Sequence, residues 1–168
     1  MNRSIAHWIN DVCVWIDQTA LSQIIQSTSW IVPTVQSVHI LAIAAVAASA
    51  LMINLRLLGI FAADQPLKDV LERFLPFVWW PLLVLLATGA IMICGEPARS
   101  LKNPAFQFKM VLLIAAVIAT MTATVLHKRN PAFAERTNRG VFAPGLAILS
   151  MALWTGIIFA GRWIAYYS

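Results

Sequence analysis

The chain has 168 residues, of which 60% are hydrophobic and only 11% charged, whereas soluble domains carry about 25% charged and about 45–50% apolar residues. That balance excludes a soluble globular domain and leaves an integral membrane protein. The net charge of +5 calls for no nucleic-acid partner, because its distribution follows the loops between apolar segments.

From the N-terminus, Ile5, Trp8, Ile9, Val12, Trp15, Ile16, Ala20, Leu21 and Ile24 recur at helical spacing, with His7, Asn10, Asp11, Asp17 and Gln18 on the other side. Residues 1–28 therefore read as one amphipathic helix suited to the headgroup plane. Asp11 and Asp17 interrupt any run that would serve as a signal peptide.

Four apolar stretches follow, at about 33–60, 76–94, 106–126 and 142–164, each long enough for a ~30 Å hydrocarbon core that needs about 20 residues. Thr28 or Ser29 is expected to cap the first, with Pro33 in its opening turn. Ala42, Ala44, Ala45, Ala47, Ala48 and Ala50 give it a small-residue surface that lets a helix or a flat ligand come close. Gly59 is the expected C-terminal stop. Asp64-Gln65-Pro66 reads as a cap before a short helix at 67–74. Pro76 opens the second stretch, with Trp79 and Trp80 at the interface. Asn103-Pro104 opens the third and Asn130-Pro131 follows it. Arg162, Trp163, Tyr166 and Tyr167 bound the fourth.

The resulting fold class is all-α: an integral membrane four-helix bundle over residues 29–168 with an interfacial N-terminal helix. Arg56, Lys68, Arg73, Lys128, Arg129, Arg136 and Arg139 fall on one side, and Arg3, Arg99, Lys102, Lys109 and Arg162 on the other. By the positive-inside rule, the seven-residue side faces the cytoplasm and both termini face the periplasm of a bacterial inner membrane. Cys13 and Cys94 then lie towards the outer face, where a disulfide is allowed but isolated thiols are the commoner arrangement.

Ionisable side chains at membrane depth are rare and costly, so each is a candidate functional residue. With ~1.5 Å per residue, His39 lies roughly 10 Å outward of the midplane and Lys109 about 10–12 Å outward. Gln36 shares the His39 face, and Met92, Cys94 and Arg162 occupy similar depths. Three chemistries fit this layer. Imidazole from His39 can ligate haem iron, with Lys109 as a second ligand or a propionate partner. His39 with Met92 and Cys94 suits Cu(I). His39 can also move protons. Against these stands an interhelical hydrogen bond for His39 and simple snorkelling for Lys109. Arg56 is expected to reach Asp64, Asp69 or Glu72. No CxxC pair, CxxCH haem-attachment motif, P-loop or dinucleotide fingerprint occurs.

The order Trp30-Ile31-Val32-Pro33, His39, Leu55-Arg56-Leu57-Leu58-Gly59, Thr88-Gly89 and Asn103-Pro104-Ala105-Phe106-Gln107-Phe108-Lys109 resembles an uncharacterised family of small bacterial four-helix membrane proteins. More distantly, the layout is similar to HemJ-type protoporphyrinogen oxidases and to CopD-type copper-resistance membrane domains. The HemJ resemblance implies a haem b protein that needs a histidine early in one helix and a lysine opening a later one, with an arginine near the far end of the first. His39, Lys109 and Arg56 match those positions in order. An alanine run stands here where HemJ-type proteins carry tryptophan and glycine after the histidine.

Together these readings lead to an expected haem b-binding redox or electron-transfer protein, with His39, Lys109, Arg56 and Gln36 around the cofactor. The alternatives are a copper-handling protein using His39, Met92 and Cys94, and a non-catalytic accessory subunit. Expected partners are the lipid bilayer, a quinone or redox protein, and a second copy of the chain.

Overall fold

A computed structural model describes residues 3–129 and 142–163. Asn130, Pro131, Arg136, Arg139, Tyr166 and Tyr167 of the sequence reading lie outside the described residues, as do the side chains of Arg3, His127, Lys128 and Arg129. Among the described residues the chain is all-α: α1 Arg3–Asp17, α2 Ala20–Ser27, α3 Ile31–Leu57, α4 Leu67–Phe74, α5 Pro76–Gly95, α6 Pro97–Leu101, α7 Pro104–Arg129 and α8 Phe142–Trp163. Four segments are long and apolar enough to cross a membrane: Ile31–Leu57, Leu67–Gly95, Pro104–Thr122 and Pro144–Trp163.

Helix ends follow local chemistry. At the end of α3, Gly59 takes φ +72, a conformation glycine reaches without a Cβ clash. Gly59 N–H then donates to Arg56 O and Ile60 N–H to Leu55 O, both at 3.0 Å, which is the Schellman arrangement. Pro76 has no N–H to continue the α4 ladder, so α4 stops at Phe74 and α5 begins afresh. Asn103 Oδ1 accepts the Ala105 N–H at 2.9 Å, so α7 starts at Pro104, two residues earlier than the apolar run alone implies.

Three expectations about caps and helix ends change. The single N-terminal helix is two, because Thr19 caps α2 by accepting the Ser22 N–H at 3.3 Å. Neither Thr28 nor Ser29 caps α3: it begins at Ile31 with Trp30 in the cap position and no side-chain bond. Pro66, not Asp64, precedes α4, again without a side-chain cap.

α3 packs against α5 and α8, and α8 packs against α7, while α5 and α7 scarcely touch. The core joins Val46, Ala50 and Ile53 of α3 with Leu71, Val78, Ala116, Trp154 and Ile157. The opposite faces stay apolar and exposed, as in Leu41, Leu83, Val111, Ile118 and Phe159, in keeping with segments apolar enough to cross a membrane. α1, α2 and α6 gather at the end where α3 and α7 begin, here the α1 end; α4 marks the other.

Candidate functional site at the α1 end of the bundle

Seven residues turn a helix to within about 20° of the same face. His39 precedes Val46 by seven, Lys109 precedes Ala116 by seven, and Gly161 follows Trp154 by seven. Val46, Ala116 and Trp154 all belong to the core. His39, Lys109 and Gly161 therefore share the inward faces of α3, α7 and α8, one layer nearer the α1 end. A histidine, a lysine and a glycine replace the apolar filling found below them.

His39 is half-buried and reaches α5, where its Nδ1 lies 2.7 Å from Thr88 Oγ1. The Thr88 hydroxyl donates to Val84 O at 2.7 Å, with Leu85 O at 3.3 Å. A hydroxyl has one proton. When that proton lies on the Val84 carbonyl, Thr88 accepts from His39 Nδ1–H and the ring lone pair falls on Nε2, which has no hydrogen-bond partner among the described residues. Gly89 lies beside the ring: a Cβ there would sit 3.7 Å from His39 Cε1.

Lys109 lies along the α8 backbone at Gly161, where a Cβ would sit 3.5 Å from Nζ, 3.7 Å from Cε and 3.9 Å from Cδ. Its ammonium is within electrostatic reach of His39. The ion pairs among the described residues are Lys68–Glu72 and Arg99–Glu96, so no carboxylate neutralises Lys109 there. The layer thus holds a basic side chain, Lys109, with no carboxylate beside it among the described residues.

The other sequence candidates separate from this pair. Gln36 is exposed, one turn closer to the α1 end on the His39 face. Met92 is half-buried and follows Thr88 by one turn on the same face of α5. Cys94 sits roughly 120° around that helix from Thr88; its carbonyl accepts from Ser22 Oγ at 2.6 Å. Both cysteines are free thiols, and Cys13 is buried with its Sγ 3.6 Å from Pro97 O. Arg56 stands seventeen residues along α3, roughly 25 Å from the His39 level. It forms no ion pair with Asp64, Asp69 or Glu72; its Nε and one terminal nitrogen instead donate to Gln65 O at 3.1 and 2.7 Å. Arg56 thus pins the α3–α4 connection. Among the described residues no three His, Cys, Asp or Glu side chains form a metal-holding group.

Two members of the layer escaped the sequence reading as site residues. Thr88 stands in the sequence only as part of the Thr88-Gly89 pair of the family resemblance, with no role at the site, and Gly161 gives no signal there.

The profile of a family of unknown function, DUF6644, matches residues 12–167, and the chain belongs to that family. No curated protein and no solved structure matches it.

Proposed function

We propose that this member of DUF6644 is a haem b-binding redox protein of the bacterial inner membrane, in which His39 would hold the iron. The observation that carries the reading is the divided histidine. Its Nδ1 lies 2.7 Å from Thr88 Oγ1, and its Nε2 has no partner among the described residues inside an apolar bundle. Metal-ligating imidazoles are ordinarily oriented in this way, by a second partner on the other ring nitrogen. The donor set fits haem. His39 supplies a neutral nitrogen, Lys109 supplies an unneutralised cation for a propionate, and Gly89 and Gly161 keep two helix surfaces thin beside them.

Haem held there would supply one-electron chemistry, exchanged with a quinone or a redox partner protein. Thr88 fixes the ring of His39. Lys109 would pair with an anionic group of the cofactor. Gln36, exposed nearer the α1 end, faces the approach. Arg56 acts at a distance by holding the α4 end. The excess of Lys and Arg in the loops of that end supports a cytoplasmic position for it and periplasmic termini.

A second reading rests on Met92. It shares the face of α5 that carries Thr88, so an imidazole and a soft thioether project from neighbouring helices at adjoining levels, a pairing that suits Cu(I), whereas Cys94 lies on another face of α5. Elemental analysis of the purified protein decides between these readings. Iron equimolar with the chain, lost in His39→Ala, supports the haem site. Copper in its place supports the second reading. Neither metal, after expression with both supplied, rejects both and leaves an accessory subunit.

A further inference from the structure

The N-terminal pair of helices presents an apolar surface that the bundle does not use. α1 turns Cys13 inward, while Trp8 and Trp15, seven residues apart on one face, are 68% and 70% exposed. Ile9, Val12 and Ile16 fill the arc between that face and the bundle, and His7, Asn10, Asp11, Asp17 and Gln18 take the far side. On α2, Leu21 and Ile24 are exposed while Ser22 and Ile25 are buried.

Three bonds set the level of this surface. Ser22 Oγ donates to Cys94 O at 2.6 Å, Cys13 Sγ to Pro97 O at 3.6 Å, and Lys102 Nζ to Asn10 Oδ1 at 2.8 Å. Gly95 brings α2 close, since a Cβ there would lie 3.1 Å from Ile25 Cγ2. These ties fasten α1 and α2 to the place where α5 ends and α3 begins. Exposed Trp30 and Trp163 stand at the same ends of α3 and α8. Beyond Trp30, α3 carries further exposed apolar side chains at Val38, Ile40 and Leu41.

We infer that α1 and α2 lie in the lipid interface at this end of the bundle, with Trp8, Trp15, Leu21 and Ile24 inserted at the boundary of headgroups and acyl chains. Tryptophan favours that depth because its ring is apolar and its N–H finds partners among the headgroups. α1 carries two aspartates, Asp11 and Asp17, against one basic residue other than His7, Arg3. Attachment therefore comes from apolar burial and does not need anionic lipid.

The test uses the full chain in phosphatidylcholine nanodiscs, which leave both faces open to water. Lipids brominated just below the headgroup quench nearby tryptophans, and iodide quenches those in water. Trp8→Phe, Trp15→Phe and the double variant keep an aromatic ring at exposed positions, and circular dichroism checks their folding. The expected result is selective loss of the emission quenched by shallow bromines, unchanged at high salt. Loss of iodide-quenched emission instead would place these rings in water and overturn the inference. Emission shielded from both quenchers would also overturn it, by placing a protein surface or a second copy over the helices.

Discussion

At the scale of single residues, the site turns on which proton Thr88 keeps. Its hydroxyl bonds the carbonyl four residues back, as threonines inside helices commonly do, and the same oxygen receives His39. Thr88→Val preserves the side-chain shape and removes that acceptor. An unpartnered buried N–H costs about 1–3 kcal/mol, and the loss of an orienting partner typically weakens metal binding about 10–100-fold. Haem titration of the variant apoprotein should therefore show weaker binding, with Thr88→Ser close to wild type. Equal affinity in Thr88→Val would mean that the ring is positioned by packing alone. His39 and Lys109 were legible in the sequence because charge at membrane depth is conspicuous. Thr88 and Gly161 were not, because each has a routine use in apolar helices and becomes informative only when its neighbour across the helix gap is known. Arg56 was legible as a special residue, but its partner was not: a backbone carbonyl leaves no mark in a sequence.

At the scale of elements, prolines and glycines marked the boundaries well. Pro76, Pro104 and Gly59 stop or start helices because of a missing N–H or a positive φ. The break between α1 and α2 was hidden, since the apolar periodicity runs through it and the cap at Thr19 is one hydroxyl. Two glycines predict opposite tolerances. At Gly95 an added Cβ would meet the branched Cγ2 methyls of Ile25 at 3.1 Å and Val32 at 3.5 Å. Those methyls are fixed by χ1 and cannot swing aside. Gly95→Ala should destabilise by about 1 kcal/mol, read as a lower melting temperature in detergent. At Gly156 the contact is Leu112 Cδ1 at 3.2 Å, the movable end of a side chain. The better helix propensity of alanine, about 1 kcal/mol, offsets that crowding, so Gly156→Ala should melt within a degree or two of wild type. Equal losses in both variants would contradict this distinction.

At the scale of the molecule, the apolar composition and four long segments made the membrane bundle legible from the sequence. The order in which the helices pack was not, because all four carry apolar residues nearly all round and no stripe points to a neighbour. That order puts α3 between α5 and α8, which brings His39 against Thr88 and leaves the α5 and α7 surfaces apart. The charge bias predicts an outward C-terminus: alkaline phosphatase fused there should be active and a fluorescent protein dark, and the reverse would invert the topology. The most direct trial of the whole reading is the visible spectrum of the detergent-purified full chain, oxidised and then dithionite-reduced, beside His39→Ala. A Soret band with sharp reduced α and β bands in the wild type, absent from a folded His39→Ala, is the predicted result. A flat wild-type spectrum after expression with haem supplied, or full haem retention by a folded His39→Ala, would contradict it.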